Sequence, residues 1–229
     1  MEHFETGIVV IVGNYGSGKT EVSVNLALNQ KDKGRRVRLA DLDLVNPYFR
    51  SREVRQLLES KGIEVLLPDQ QYLQADLPIL SPTISGMIRD PGELALLDVG
   101  GDDVGATVLA ALADAFQEQA ARVLQVVNPN RPYTDTIDGC IQIKNEIEKS
   151  AKMTITGIVG NANLMDETNA SIIYQGYEFV ADLAETCRLP LEFITIESRL
   201  MDQVDLSKIH CPVLPLERHL TLPWMSASS

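Results

Sequence analysis

The sequence predicts a single α/β domain, in which a mostly parallel, doubly wound sheet carries helices on both faces. Apolar runs alternate with amphipathic stretches along the chain, which is typical of parallel strands joined by helices. The length of 229 residues suits one such domain, and 45% hydrophobic with 23% charged residues is the composition of a globular protein. Since neither a repeat nor an interdomain linker is visible, we expect one domain over 1–216 and a loosely ordered tail over 217–229.

Each apolar run is assigned to a strand and each amphipathic stretch to a helix. The predicted strands are 7–13, 36–40, 63–67, 94–98, 122–127, 154–160, 191–196 and 212–216. The predicted helices are 19–33, 51–60, 83–89, 105–120, 134–149 and 168–187. Helix 105–120 is rich in alanine and leucine, so we expect it to pack closely on the sheet.

The glycine-rich segment between the first strand and the first helix is the most informative motif. It reads Gly13-Asn14-Tyr15-Gly16-Ser17-Gly18-Lys19-Thr20, with Glu21 next in the helix. This matches the G-x-x-x-x-G-K-[ST] pattern of a phosphate-binding loop, or Walker A motif, in the expected setting of strand, loop and helix. Backbone N–H groups of such a loop, together with the positive end of the helix, bind phosphate oxygens. We predict that these residues bind a nucleotide, with Lys19 on the β- and γ-phosphates and the Thr20 hydroxyl on Mg²⁺.

Two strands end in aspartates that we expect at the same edge of the sheet. Asp43 follows the second strand, and Asp98 ends the fourth. Ligands of doubly wound sheets bind at the carboxyl ends of the strands. We predict that Asp43 orients the attacking water or helps to hold hydrated Mg²⁺, and that Asp98 binds Mg²⁺ through a water. The backbone N–H near Gly101 is expected to bond the γ-phosphate, so that loop 102–105 distinguishes ATP from ADP.

The predicted base-binding residue is Asn161, which comes directly after strand 154–160. No [NT]-K-x-D motif occurs, so the usual guanine-binding carboxylate is missing. The amide of Asn161 has the geometry to pair with N6 and N7 of adenine, although a plain loop asparagine is the alternative interpretation. The predicted cofactors are therefore ATP and Mg²⁺.

In this order, the phosphate loop, Asp43, Asp98 and Asn161 resemble the MinD/ParA group of P-loop ATPases. The same superfamily includes the nitrogenase iron protein, the arsenite-pump ATPase and dethiobiotin synthetase. The resemblance runs from Gly7 to about residue 196. It implies that Asp43 activates water, that Asp98 serves Mg²⁺ and that Asn161 recognises adenine. It also implies that segment 127–130 closes over the edge of the nucleotide.

One position departs from that group, whose loop typically has a lysine where this chain has Asn14. In the group, that lysine reaches the partner's phosphates across a dimer that sandwiches ATP. Because Asn14 has no charge, either dimerisation differs, or hydrolysis is slow, or another cation substitutes. Arg50 and Arg52 are the candidates, with surface arginines at a helix start as the alternative.

The composition and the terminal segments limit which binding partners and which cellular compartment we expect for this protein. A formal net charge of −12 argues against nonspecific binding of nucleic acid. No apolar run approaches the roughly 18 residues of a membrane helix, and the C-terminal segment is not a basic amphipathic helix. The N-terminal residues lack the features of a signal peptide, so we expect a cytoplasmic protein without nucleic-acid or membrane partners.

Two classes of function remain open. The first is a slow ATPase switch that binds ATP or ADP, forms a nucleotide-dependent homodimer and acts on a protein client. The second is a small-molecule synthetase or kinase of the dethiobiotin synthetase type, with the polar segment 68–74 as its substrate pocket. A nucleotide-binding regulator with negligible hydrolysis is a further alternative, because of Asn14.

Overall fold

The centre of the molecule is one eight-stranded sheet in which every neighbouring pair of strands is parallel. The structure is a computed structural model that describes residues 4, 6–43, 52–67, 82–101, 103–116 and 119–219. The strands are β1 Gly7–Val12, β2 Val37–Leu42, β3 Glu64–Leu66, β4 Leu94–Val99, β5 Ala121–Val127, β6 Gly157–Gly160, β7 Leu191–Glu197 and β8 Val213–Leu216. Their order across the sheet is β3-β2-β4-β1-β5-β6-β7-β8. The predicted fold class is confirmed, and a strand lies in each of the eight predicted ranges.

Helices connect the strands. They are α1 Lys19–Asp32, α2 Arg52–Ser60, α3 Pro82–Arg89, α4 Asp103–Ala111, α5 Ala113–Phe116, α6 Ile137–Ala151 and α7 Ala170–Cys187. Short 3₁₀ helices at Met165–Glu167, Ser198–Gln203 and Leu206–Lys208 were not predicted.

Two predicted elements need correction. The single helix predicted over 105–120 is two helices, α4 and α5, because the backbone turns more tightly at Leu112, whose carbonyl accepts from the N–H of Ala115 three residues on. The strand predicted from residue 154 begins at Gly157. The N–H of Ile155 is bonded instead to the carboxylate of Glu148 on α6, at 2.8 Å, and bonding to β5 starts only at Thr156, whose N–H donates to the Val123 carbonyl at 2.8 Å.

Both faces of the sheet are buried, which explains the continuous apolar runs of its strands. Alternate residues of β1 belong to different cores: Val9 and Ile11 pack with α1 and α2, whereas Ile8 and Val10 pack with α3, α4 and α5. A third cluster joins α6 and α7 to β5, β6 and β7. The helices therefore lie on both faces, as the sequence predicts.

The strand order places a crevice at the carboxyl edge of β1. From β1 the chain winds outward to β2 and β3 on one side, and β5 to β8 lie on the other. Such a reversal of winding separates the loops on either side of it and opens a ligand site. The loops after β1, β4, β5 and β6 meet there.

Candidate functional site

The glycine loop after β1 has the backbone of an anion-binding loop. Gly16 and Gly18 adopt φ values of +73° and +89°, a region in which residues with side chains are strained. Gly18 is the N-cap of α1 and offers no side chain to its first-turn N–H groups. The N–H groups in the first turn of α1 therefore face the loop without a side-chain cap. This arrangement favours the binding of a negatively charged ligand in the loop.

Lys19 lies between the phosphate loop and the loop after β4. Only 8% of the residue is exposed, and its Nζ donates to the carbonyl of Asn14 at 3.0 Å. A Cβ placed on Gly101 would lie 2.6 Å from this Nζ and 2.9 Å from the backbone N of Tyr15. The structure therefore brings together Lys19 and Gly101, two residues predicted from separate motifs, and only glycine fits at position 101.

Asp98 is buried behind this loop, with 3% exposure. It accepts a hydrogen bond from the Ser23 hydroxyl at 3.1 Å and another from Thr20. In the sheet it stands opposite Asp41 of β2. Burial, with the neighbouring Asp41 carboxylate, raises the pKa of Asp98 to about 7, although the two hydroxyls and the Lys19 ammonium counteract the rise. A carboxyl that is costly to ionise and touches Thr20 fits a position next to a bound cation.

The raised pKa of Asp98 predicts how stability depends on pH without nucleotide or magnesium. The folded state holds this proton up to about pH 7, whereas the unfolded chain releases it near pH 3.8. The contribution of Asp98 to the free energy of unfolding therefore falls as pH rises from about 4 to about 7, by up to about 1.4 kcal/mol per pH unit. We expect Asp98→Asn to lack this slope. Urea denaturation from pH 5 to pH 8 with a chelator tests it, and parallel profiles for the two proteins would contradict the burial argument.

One cavity of about 470 Å³ joins most of the predicted site residues. The predicted site residues that line this cavity are Tyr15, Gly16, Gly18, Lys19, Thr20, Glu21, Asp43, Gly101 and Asn161. Asp43 reaches it from the end of β2, where its backbone N–H is fixed by the Asp41 carboxylate at 2.9 Å. Thr20 lines this cavity together with Asp43, and it lines the neighbouring cavity together with Asp98, so one hydroxyl links two carboxylates of the kind of oxygen ligand that Mg²⁺ prefers. The residues present therefore fit the ion.

Asn161 is bonded to the phosphate loop itself. Its Nδ2 donates to the carbonyl of Ser17 at 2.7 Å, and its Oδ1 accepts from the Thr195 hydroxyl at 2.6 Å. A Cβ on Gly18 would collide with the same Nδ2, so the contact is close. A carboxamide has two donors and two acceptor positions, and one of each remains after these bonds. Asn161 therefore fixes the loop from β6 and still retains polar capacity toward the cavity that it lines.

The far end of the cavity contains residues that the sequence did not predict: Asn163, Met165, Leu216 and Arg218. Arg218 donates to Asp166 at 2.9 Å and to Glu197 at 2.8 Å. Although burial opposes its charge, hydrogen bonds from Arg218 and Arg199 hold the pKa of Glu197 below its usual value. Asn163 also donates to Glu197, at 3.2 Å. The carboxylates at this end are thus paired with arginines.

The chain returns to this site after β8. The backbone of Glu217 makes two hydrogen bonds with the Asn25 side chain of α1, at 2.8 and 2.9 Å. The N–H of His219 donates to the Glu21 carboxylate at 3.0 Å. The first residues of the predicted tail are therefore attached to the helix that follows the phosphate loop, and residues 220–229 lie outside the described part.

The loop after β5 also lines the cavity, through Asn128 and Arg131. Asn128 falls in the segment that the resemblance implies closes over the nucleotide, but Arg131 was not predicted. The Asn14 side chain contacts this loop, with Nδ2 donating to the carbonyl of Pro132 at 3.1 Å. All of the missed residues lie at or after carboxyl ends of strands, which was the available signal. The predicted cations Arg50 and the side chain of Arg52 lie outside the described residues, as does Asp102.

Solved structures share this architecture. The cell division protein FtsY of Thermotoga maritima has a TM-score of 0.58 at 19% identity, over 83% of this chain and 62% of that one. The signal recognition particle 54 kDa protein of Aeropyrum pernix, in complex with GDP, has a TM-score of 0.56 at 22% identity, over 83% and 41%. A nucleotide-binding protein of Archaeoglobus fulgidus, in complex with ADP, has a TM-score of 0.50 at 20% identity, over 86% and 84%.

The fold is that of a P-loop NTPase. This chain spans about 60% of the FtsY chains that it matches. No protein-family model and no curated protein matches it.

Because one neighbour is in complex with GDP and another with ADP, the likeness to solved structures favours neither guanine nor adenine as the base. The narrower resemblance to MinD/ParA stays a prediction. Within the described ranges, no helix combines the length and the apolar character needed to cross a bilayer.

Proposed function

We propose that this P-loop protein is a Mg-ATP-binding and hydrolysing switch that acts on a protein partner. The observation that supports it best is the single cavity that Lys19, Thr20 and Asp43 line together. Phosphoryl transfer needs a charge for the phosphates, a ligand for the metal and a group to position water, all within one site. These three residues supply them.

Each residue has a role that its position supports. Lys19, already held over the loop by the Asn14 carbonyl, binds the β- and γ-phosphates. Thr20 and Asp98 would hold Mg²⁺, which supplies charge neutralisation for the developing phosphoryl transition state. Asp43 holds the attacking water by accepting its proton in a hydrogen bond, and the products are ADP and inorganic phosphate.

Adenine, and not guanine, is the proposed base. Recognition of guanine needs an acceptor for its N1 and N2 hydrogens, usually a free carboxylate. Beside the cavity, Asp166 and Glu197 are already bonded to Arg218, which lines it. The remaining donor and acceptor of Asn161 suit the N6 and N7 positions of adenine.

The choice of base is tested by direct comparison of the two nucleotides. We expect the protein to bind ATP at least about tenfold more tightly than GTP, since a buried unpaired polar group on the wrong base costs about 1–3 kcal/mol. Competition of unlabelled ATP and GTP against a fluorescent ADP analogue measures this ratio. Equal or reversed affinities would remove the adenine assignment and leave the phosphate site intact.

The switch behaviour is proposed from the loop after β4. Gly101 contacts both Lys19 and the backbone of Tyr15, so a γ-phosphate bound there changes what this loop touches. Loops that follow the γ-phosphate are the usual means by which such proteins signal their nucleotide state. The client and a nucleotide-dependent homodimer are part of this proposal. The synthetase alternative depends on segment 68–74, which lies outside the described residues.

A further inference from the structure

We propose that Arg131 is a second phosphate-binding cation, which contacts the α- and β-phosphates and so serves ADP and ATP alike. This inference rests on the proposed nucleotide site and adds a residue that no sequence motif marks. Arg131 lies in the loop between β5 and α6, on the side of the phosphate loop toward β6.

The first support is the contact between Arg131 and the phosphate loop. Arg131 lines the same cavity as Lys19 and Thr20. Its Cδ and Nε are each 3.9 Å from where a Cβ on Gly16 would lie, so the side chain packs against the loop's backbone. Its Nε is shielded from solvent and has no hydrogen-bond partner among the described residues. A guanidinium with an unused N–H beside an anion-binding loop is suited to phosphate oxygens.

The second support is that the loop is held in place before any ligand binds. The N–H of Arg131 donates to the carbonyl of Asn128 at 3.2 Å, and the Thr134 hydroxyl donates to the same carbonyl at 2.7 Å. Asn14 bonds the carbonyl of Pro132, which ties this loop to the phosphate loop. Pro132 also restricts the backbone of Arg131. Binding therefore orders few groups in this loop, which favours affinity.

The strand order indicates which phosphates Arg131 meets. Asp98 and Gly101 belong to β4 and the loop after it, on one side of β1, whereas Asn161 follows β6 on the other side. The loop of Arg131 follows β5, which lies between β1 and β6. A nucleotide that extends from Asn161 to Gly101 passes Arg131 before its γ-phosphate. The contact therefore falls on the part that ADP and ATP share.

The test compares Arg131→Ala with Arg36→Ala by calorimetric titration of ADP and of ATP. Arg36 is a matched control, since its side chain is 86% exposed and it lies just before β2, at the opposite edge of the sheet. We expect Arg131→Ala to weaken both nucleotides by about tenfold or more, the loss of one charge-assisted hydrogen bond, with an unchanged ratio of ATP to ADP affinity. Arg131→Lys should recover part of the loss, and Arg36→Ala should bind like the wild type.

Each contrary outcome has a separate meaning. Wild-type affinity for ADP in a folded Arg131→Ala protein would overturn the proposal, and a loss confined to ATP would overturn the assignment to the α- and β-phosphates. If the alanine variant does not fold, Arg131→Gln takes its place under the same criteria. If the wild type binds neither nucleotide, the proposed function itself fails, whatever Arg131 does.

Discussion

Replacement of Lys19 by alanine is expected to weaken ATP binding by about 100-fold or more while the fold is retained. The ammonium group of this lysine is hydrogen-bonded to the phosphate loop, at the Asn14 carbonyl. Two charge-assisted bonds to phosphate oxygens contribute about 3–6 kcal/mol, and each 1.4 kcal/mol is a factor of ten in affinity. Removal of a nearly buried ammonium next to Asp98 also leaves that carboxyl without an attractive charge, so its pKa should rise further.

Lys33→Ala is the matched control for this experiment. Lys33 is the exposed C-cap of the same helix, about 20 Å from the phosphate loop. Both variants lose one positive charge, so a difference in ATP affinity isolates the position of the charge from its loss. The measurement is calorimetric titration with Mg-ATP, after urea denaturation shows that both variants are folded. ATP affinity within a few fold of the wild type in Lys19→Ala would reject the phosphate-loop assignment.

Replacement of Asp43 by alanine is expected to leave ATP bound and to reduce its turnover by about 100-fold. A positioned acid or base contributes about 10²–10⁴ to such reactions, whereas the phosphates are bound by other groups. Asp43 lines the cavity from the end of β2, whereas Asn161 holds the phosphate loop through the Ser17 carbonyl. Phosphate release under single-turnover conditions measures the effect, and Asp32→Ala, an exposed change at the far end of α1, is the control.

The same variant tests the switch. Because Asp43→Ala should hold ATP without consuming it, light scattering in Mg-ATP and then in Mg-ADP reports whether γ-phosphate drives association. A dimer in ATP alone supports a nucleotide-dependent switch. A monomer in both nucleotides contradicts the proposed homodimer, and unchanged hydrolysis in Asp43→Ala removes this residue from the chemical step.

The sheet was predictable because its pattern is local. Strands buried on both faces, such as β1 and β4, are continuous apolar runs, and the amphipathic helices between them leave few alternatives to a parallel order. The break at Leu112 was not predictable in this way, because alanine and leucine favour helix on both sides of it. The tight turn there depends on how Leu112 and Ala115 are buried against the sheet, which is a property of the tertiary fold.

The candidate site was predictable where a motif fixes the backbone and not elsewhere. The glycines of the phosphate loop are needed for their φ values, so the sequence marks them. Arg131 and Arg218 are ordinary arginines in loops, and only the meeting of strand ends brings them to the cavity. Asn161 shows an intermediate case, since its position was predicted but its bonds to Ser17 and Thr195 could not be inferred from the sequence.

The attachment of residues 217–219 to α1 affects where a tag or a fluorescent label should be joined to this protein. Glu21, which accepts a hydrogen bond from the N–H of His219, also lines the cavity of the candidate site, so residue 219 lies at the rim of that site. A purification tag or fluorophore joined beyond that point would be attached close to the helix whose first turn we propose to bind phosphate. The strand β1 starts at the other edge of the sheet, a full strand length from the rim. Labels for binding experiments therefore belong at the amino-terminal side.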